Sequence, residues 1–241
     1  MTTKDQLFDT PKDDVEAFTF NEAVARVFPD MIERSVPGYR LLLEMTPLII
    51  KNAVQPNTRI YDLGCSLGAA TLAARRAVTA AGVEIIGVDN APHMVSRCRE
   101  VVEQDNSAVP VTIVEGDITT APIERASVVM LYFTLQFVAP EHRAGLLKGI
   151  HDGMAPGGAL LLAEKLAFDV DEQAWMDEHH VAFKRNQGYS DLEIAQKRQA
   201  IENVLIPQSQ ASHRAALAQA GFRQTYGWFQ AFNFACFVAI K

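Results

Sequence analysis

The sequence has few cysteines, and their spacing argues against both a disulfide framework and a structural zinc site. Its 241 residues include three cysteines, Cys65, Cys98 and Cys236, which lie far apart. A disulfide framework needs an even set of cysteines, and a structural zinc site needs paired ligands such as Cys-x-x-Cys. We therefore expect a protein of the reducing cytoplasm with no bound metal.

Long apolar runs and an excess of positive charge are also missing. No stretch reaches the roughly 18 apolar residues that a membrane helix needs, and the charged N-terminal segment is unlike a signal peptide. Acidic residues outnumber basic residues by 29 to 22, which gives a formal net charge of −7. Such a chain has no broad attraction to a polyanion. We predict that it neither enters a membrane nor binds nucleic acid directly.

What the sequence does contain is enough apolar material for one large domain. Hydrophobic residues make up 49% of the chain, so a sizeable core can be buried. We predict a single domain over residues 1–241. Its parts are N-terminal helices over 20–54, a cofactor-binding core over 55–165, a helical lid insertion over 170–206 and C-terminal strands over 207–241.

The spacing of apolar residues predicts helices in the N-terminal part of the chain and alternating strands and helices in its middle part. Helical spacing over residues 20–54 is interrupted by FPDM at 28–31 and by VPGY at 36–39. From Arg59, short apolar runs alternate with helical stretches, which predicts parallel strands joined by crossover helices. These runs are RIYDLG, EIIGVDN, VTIVEGD, SVVMLYF and ALLLAEK. The final runs, FRQTYGWFQ and FNFACFVAIK, predict an antiparallel pair at one side of this α/β doubly wound sheet.

Three predicted strands end in residues that suit a nucleotide-like ligand. Gly64 and Gly68 flank a tight turn after the first strand, where the backbone can approach a ligand. Asp89 ends the second strand, where its carboxylate can accept hydrogen bonds from ribose hydroxyls. Asp117 follows the third strand and can accept an adenine amino hydrogen, with Ile118 near the ring. Each signal alone also fits an ordinary turn or helix cap.

Together these signals favour a ligand, because open α/β sheets bind ligands beyond the carboxyl ends of their strands. The segment DLGCSLG lacks the GxGxxG spacing that holds a pyrophosphate. S-adenosyl-L-methionine has no pyrophosphate and therefore suits the turn better than a dinucleotide. The predicted cofactor cradle consists of Gly64, Asp89 and Asp117 with their neighbours. Cys65, Ser66 and Asn90 are predicted to complete it, with Cys65 as a small packing residue rather than a nucleophile.

The same segments resemble the motif series of class I methyltransferase-fold proteins over roughly residues 55–165. The matching stretches are DLGCSLGAAT, VDN, VEGDI and GMAPGGALLLAEK. This resemblance implies a Rossmann-like fold with a mostly parallel seven-stranded sheet, an antiparallel C-terminal strand, N-terminal helices and a helical lid. Nearly the whole chain resembles a narrower family, the carboxy-S-adenosyl-L-methionine synthases. The segments are VFPDMIERSVPGY, YDLGCSLGAATL, FTLQF, FKRNQGYSDLEIAQKR and WFQAFNF.

The narrower resemblance implies a transferase that carboxylates the methyl group of S-adenosyl-L-methionine. It implies prephenate as the donor, with phenylpyruvate and carboxy-S-adenosyl-L-methionine as products. It also implies a cytoplasmic homodimer whose product serves a tRNA carboxymethyltransferase in wobble-uridine modification. The residues themselves leave open a small-molecule methyltransferase and a non-catalytic cofactor-binding protein, because the fold supports many functions.

Three residues outside the turn take predicted roles from this resemblance. Arg198, in QKR, matches the family's arginine that pairs with the new carboxylate, and Tyr39 matches a tyrosine that reaches the same ligand. Without the resemblance, Arg198 reads as a solvated surface residue and Tyr39 as a half-buried aromatic. Tyr132 replaces a family asparagine that contacts the cofactor. Its hydroxyl either lies near the amino-acid end of the cofactor or turns away from it.

The lid and its surroundings contain further polar candidates. His179 and His180 are adjacent on a predicted helix and point in different directions, so we expect solvated or capping roles rather than a metal site. Arg34, Lys165 and Lys184 either offer positive charge to a dianionic substrate or lie on the surface as ordinary solvated residues.

Overall fold

The computed structural model describes residues 3–241, which contain a seven-stranded sheet in the order β3-β2-β1-β4-β5-β7-β6. The strands are β1 (Arg59–Leu63), β2 (Glu84–Asp89), β3 (Val111–Glu115), β4 (Ala126–Tyr132), β5 (Met154–Lys165), β6 (Gln224–Ala231) and β7 (Phe234–Ile240). Strands β1 to β5 pair in parallel, whereas β7 pairs antiparallel with both β5 and β6. The predicted mostly parallel sheet with an antiparallel C-terminal strand is confirmed.

Helices cover both faces of this sheet. They are α1 (Glu22–Ser35), α2 (Tyr39–Ala53), α3 (Ala69–Ala77), α4 (Pro92–Glu103), a short 3-10 helix (Leu135–Phe137), α5 (Pro140–Gly153), α6 (Val170–Asn186), α7 (Asp191–Ile201) and α8 (Gln210–Ala220). Alternate strand residues point to opposite faces. Met130 therefore packs with residues of α2 and α3, while its neighbour Leu131 packs with residues of α5 and α8. Burial on both faces explains the continuous apolar strand runs.

The N-terminal helices differ in one respect from the sequence pattern. Helix α1 runs unbroken through Pro29, so the interruption expected at 28–31 is wrong. Proline removes one helical hydrogen bond, but the burial of neighbouring apolar residues such as Met31 offsets that loss. The second expected interruption is present, because Gly38 takes a left-handed conformation with φ of 77° immediately before α2.

Two segments after β5 complete the architecture. Helices α6 and α7 fold over the carboxyl ends of the strands, and the N-terminal segment packs on α7 through Phe18, whose backbone N–H donates to the Ala200 carbonyl at 2.9 Å. Helix α8 lies where only strands were expected. Its capping signals are visible in the sequence, since Ser209 caps its first turn and Gly221 takes a left-handed conformation after its end. None of the helices within residues 3–241 is long and apolar enough to cross a membrane.

Candidate active site

The carboxyl ends of five neighbouring parallel strands form one wall of a cavity of about 580 Å³. In sheet order, the cavity-lining residues at or just after these ends are Asp117, Asp89, Gly64, Tyr132 and Lys165. Residues of α1, α2, α6 and α7 line the opposite side. Because adjacent strands lie about 4.8 Å apart, this row spans about 19 Å. The cavity is therefore long enough for a nucleoside derivative and a second small molecule.

The turn after β1 brings backbone close to the cavity. Gly64 has φ of 80°, and a Cβ atom there would lie 2.3 Å from Thr134 Oγ1, so no other residue fits without displacement. Ser66 also has a positive φ, of 49°. Cys65 and Ser66 line the cavity as predicted residues of the turn. Hydrogen bonding to Cys98 and burial raise the pKa of the Cys65 thiol, which suits packing rather than nucleophilic attack.

Asp89 joins this turn to the end of β2. Its Oδ2 atom accepts a hydrogen bond from the Ser66 backbone N–H at 2.8 Å, and Oδ1 accepts one from the Ala91 N–H at 2.9 Å. Burial raises the pKa of Asp89, while these backbone hydrogen bonds act in the opposite direction. The carboxylate has four lone-pair directions, so it can still accept from ligand hydroxyls. Asn90 lines the cavity beside it.

Asp117 and Ile118 lie at the far end of the row, after β3. Asp117 Oδ1 accepts hydrogen bonds from the backbone N–H and the hydroxyl of Thr119, both at 2.8 Å. These bonds lower the pKa of Asp117 and keep its carboxylate ionised. Ile118 is buried and presents an apolar side chain to the same cavity. The pair therefore offers a hydrogen-bond acceptor beside an apolar contact, as an adenine ring requires.

Asp62 is a cavity residue that was not predicted from the sequence. Its side chain is buried within β1, and Oδ2 accepts a hydrogen bond from the Thr71 hydroxyl at 2.5 Å. Burial raises the pKa of Asp62 to about 6. A carboxylate at this depth can receive a cationic amino group of a ligand. The available signal was an acidic residue inside an apolar strand, two positions before Gly64, because a buried charge needs a partner.

Known proteins with the same architecture support this interpretation of the fold. A family model described as a methyltransferase domain matches residues 60–158. A putative O-methyltransferase from Nostoc punctiforme superposes with a TM-score of 0.63 and 16% identity, covering 91% of this chain and 60% of its own. Magnesium protoporphyrin IX methyltransferase from Synechocystis gives 0.61 at 13% identity, covering 88% and 87%. The predicted class I methyltransferase fold is confirmed.

Full-length relatives are far more similar in sequence. A protein of Pseudomonas syringae pathovar tomato named carboxy-S-adenosyl-L-methionine synthase is 53% identical over 241 residues, which cover 98% of each chain. Proteins of the same name from Erwinia tasmaniensis and Vibrio parahaemolyticus are 49% and 51% identical, covering 100% and 98% of this chain and 98% and 97% of theirs. This chain belongs to the carboxy-S-adenosyl-L-methionine synthase family. Membership confirms the predictions of the family and of an enzyme of the transferase class, and supports the involvement of S-adenosyl-L-methionine.

Tyr39 and Tyr132, both singled out through the resemblance to this synthase family, line the middle of the cavity. Tyr39 is the first residue of α2, and burial and the nearby Asp62 carboxylate raise its pKa. The Tyr132 ring borders the cavity, but its hydroxyl lies 2.8 Å from Thr46 Oγ1, which itself donates to the Leu42 carbonyl at 2.8 Å. Tyr132 therefore donates to Thr46. Of the two expected arrangements, the structure shows the hydroxyl turned away toward α2.

We expect the variant Tyr132→Phe to lose stability but not cofactor affinity. Removing one buried neutral hydrogen bond costs about 1 kcal/mol of the free energy of unfolding. Affinity for S-adenosyl-L-methionine should stay within about twofold, because the hydroxyl bonds to Thr46 rather than facing the cavity. Chemical denaturation and titration calorimetry measure the two quantities, and Tyr226→Phe, at an exposed tyrosine of β6, is the control. A tenfold weaker cofactor affinity at unchanged stability would instead assign the hydroxyl to the ligand.

Arg198 lies outside the lining of the cavity. Its side chain is 66% exposed, and Nη2 lies 3.5 Å from Asp177 Oδ2. The reason is the helical phase of α7: successive residues turn by about 100°, so Lys197 points into the cavity and Arg198 does not. The charge of Arg198 still contributes to lowering the pKa of Lys184, which places it near the cavity. Its pairing with a carboxylate stays a prediction.

The two lid histidines have different surroundings. His180 is buried, and its Nε2 atom lies 2.8 Å from the carbonyl of Ser35, the last residue of α1. Of the two expected roles, the solvated one is therefore wrong for this residue and the capping one fits. Burial lowers the pKa of His180 to about 3 and keeps the ring neutral. His179 is half-buried and stacks on Trp175 with ring centroids 3.9 Å apart. Both rings are therefore used in packing the lid.

The three basic candidates also differ in whether they line the cavity. Arg34 donates from Nε to the Gln187 carbonyl at 2.8 Å and from Nη1 to Asp30 at 3.1 Å, outside the cavity at the strand ends. Arg34 therefore links α1 to the loop between α6 and α7 and does not face the cavity. Lys165 and Lys184 line the cavity.

Proposed function

We propose that this protein is a carboxy-S-adenosyl-L-methionine synthase that uses prephenate as its carboxyl donor. The observation that supports this most directly is a single cavity with two chemically different ends. One end holds the cradle formed by Gly64, Asp89 and Asp117, and the other holds Lys165 and Lys184. Cations next to a cofactor cradle suit an anionic second substrate.

The proposed chemistry uses the acidity of a methyl group bonded to a sulfonium. As prephenate becomes aromatic it loses carbon dioxide and hydroxide and leaves phenylpyruvate. The hydroxide removes a proton from the S-methyl group and becomes water, and the resulting carbanion adds to carbon dioxide through a new carbon–carbon bond. One S-adenosyl-L-methionine and one prephenate thus give one carboxy-S-adenosyl-L-methionine, one phenylpyruvate and one water. Atoms and charge balance without an external base or oxidant.

In this reaction the protein binds and orients the two substrates and excludes bulk water from them. The Asp62 and Asp89 carboxylates would hold the amino group and the ribose, which fixes the methyl group within the cavity. Helices α6 and α7 cover the strand ends, so the reactive intermediates are shielded from bulk water. Arg198 would pair with the new carboxylate in bidentate geometry, for which its guanidinium must leave Asp177 and turn toward the cavity.

Mass spectrometry of products tests the proposal directly. Purified protein incubated with S-adenosyl-L-methionine and prephenate should yield a nucleoside heavier by one carbon dioxide, together with phenylpyruvate in equal amount. Reactions without protein or without prephenate are the controls. Release of S-adenosyl-homocysteine with a methylated acceptor would indicate a small-molecule methyltransferase, and tight cofactor binding without any turnover would indicate a non-catalytic binding protein.

We also propose that the enzyme works in the cytoplasm as a homodimer and hands its product to a tRNA carboxymethyltransferase that modifies wobble uridine. The net charge of −7 agrees with a role upstream of the tRNA rather than on it. Light scattering of the purified protein measures the oligomeric state. A reaction reconstituted with the tRNA-modifying partner and undermodified tRNA measures the transfer.

A further inference from the structure

Lys165, Lys184 and Lys197 line the cavity and Arg198 lies nearby outside it, but two of these four cations have their own counter-ions. Lys197 Nζ lies 3.4 Å from Asp5 Oδ2 and 3.0 Å from Ser35 Oγ. Arg198 lies 3.5 Å from Asp177. Within residues 3–241, the ammonium groups of Lys165 and Lys184 have no carboxylate at salt-bridge distance. Two lysines therefore line the cavity without a salt-bridge partner among the described residues.

This arrangement costs stability in the protein without ligand. Burial and the nearby charges of Lys197, Lys165 and Arg198 lower the pKa of Lys184 to about 7, and the Asp177 carboxylate opposes them only partly. Burial likewise lowers the pKa of Lys165. Unpaired charges in enclosed space are retained where a ligand supplies the missing countercharge. When both lysines are protonated their charges match one dianion, and a bound dianion would itself favour the protonated form of Lys184.

Four ring-bearing residues line the same cavity as the two lysines. Phe133 packs between Tyr39 and Phe234, with ring centroids 6.3 Å and 5.9 Å away. His180, neutral at physiological pH, packs edge-on against Phe234 at 5.1 Å. All four residues line the cavity. Phe234 pairs with Lys165 across β5 and β7, and the charges of both lysines contribute to lowering the pKa of His180. The rings therefore form an aromatic wall near the lysines, which suits a ligand with an apolar ring.

The order along the strand ends gives this region its place in the reaction. The cradle residues follow β3, β2 and β1, Tyr132 ends β4, and Lys165 ends β5. A cofactor held at β3 to β1 therefore has its sulfonium end directed toward β4 and β5. A ligand held by Lys165 and Lys184 would lie beyond that end, where a second substrate must be.

We propose that Lys165 and Lys184, together with this aromatic wall, form a binding subsite for a ring-bearing dicarboxylate, the carboxyl donor of the reaction. The subsite rests on the proposed function for the fate of its ligand, but not for its binding. Each lysine would donate charge-assisted hydrogen bonds to a carboxylate of the donor. Lys197 is excluded from the subsite because it already pairs with Asp5 and Tyr189.

Binding and stability of three lysine-to-methionine variants test the subsite. Each of Lys165→Met and Lys184→Met should weaken prephenate binding to the S-adenosyl-homocysteine complex by about tenfold or more, the effect of one charge-assisted hydrogen bond. Affinity for S-adenosyl-L-methionine should change less than about twofold, and Tm should rise by about 1 to 3 °C as an unpaired charge is removed. Lys197→Met should instead lower Tm, because it leaves Asp5 buried without its cation.

Titration calorimetry with prephenate, phenylpyruvate and succinate separates the possible outcomes. Stronger binding of prephenate than of succinate supports the aromatic wall, and Lys148→Met, at an exposed lysine of α5, controls for general loss of charge. Loss of anion binding in the variants without any carboxylated product from the wild type would refute the proposed reaction but keep the subsite. Wild-type affinity for prephenate in both variants, or a Tm loss like that of Lys197→Met, would overturn the subsite.

Discussion

Replacing Asp89 with alanine should lower the affinity for S-adenosyl-L-methionine by about a hundredfold. Two hydrogen bonds from ribose hydroxyls to a carboxylate contribute about 3 kcal/mol together, which corresponds to that factor. The same substitution also frees the backbone N–H groups of Ser66 and Ala91, so the turn after β1 loses the contacts that hold it against β2. Both effects act on the cradle and both weaken binding.

Titration calorimetry with S-adenosyl-L-methionine and with S-adenosyl-homocysteine measures this effect. Both ligands carry the same ribose, so their affinities should fall in parallel. Asp152→Ala, at an exposed carboxylate of α5 outside the cavity, should leave both affinities unchanged. An affinity within threefold of the wild type for Asp89→Ala would show that the ribose hydroxyls bind elsewhere.

Replacing Arg198 with alanine should remove nearly all carboxylated product while cofactor binding survives. Loss of a bidentate charged pair to the new carboxylate should reduce kcat/KM by about a hundredfold or more. Affinity for S-adenosyl-L-methionine should stay within about twofold, because the cradle residues lie at β1 to β3 rather than on α7. The free energy of unfolding should change little, since the side chain is 66% exposed.

Two matched variants make this experiment specific to Arg198. Arg198→Lys keeps the charge but cannot form the bidentate pair, so its activity should lie between those of the wild type and the alanine variant. Arg185→Ala removes another exposed arginine of the lid, paired with Asp191 at 2.7 Å, and should leave activity unchanged. If carboxylation and cofactor affinity fell together in Arg198→Ala, the residue would belong to the cofactor cradle or to lid packing instead.

The cradle was predictable because each of its features is local in sequence. Gly64 follows an apolar strand run, and Asp89 and Asp117 stand at the ends of the next two. In a parallel sheet the strand ends meet at one edge, so alternation along the chain is enough to bring these residues together. The structure places all three in the lining of one cavity.

The lid was less predictable because helical phase is set by packing. The segment QKR contains two adjacent cations, and the sequence does not reveal which of them points inward. Burial of Lys197 against Asp5, 192 residues away in the chain, turns Arg198 outward. His180 and Arg34 are used in the same way for long-range contacts of α6 with α1 and of α1 with the lid loop.

The sequence by itself therefore determined the sheet, the turn at Gly64 and the row of acidic strand ends, since these depend on local periodicity and on glycine's conformational freedom. Tertiary structure decided the direction of the Tyr132 hydroxyl, the burial of Asp62 and, within residues 3–241, the lack of a salt-bridge partner for Lys165 and Lys184. Those properties depend on which distant groups share a buried space, because hydrogen bonding and charge balance are settled only when the elements pack together.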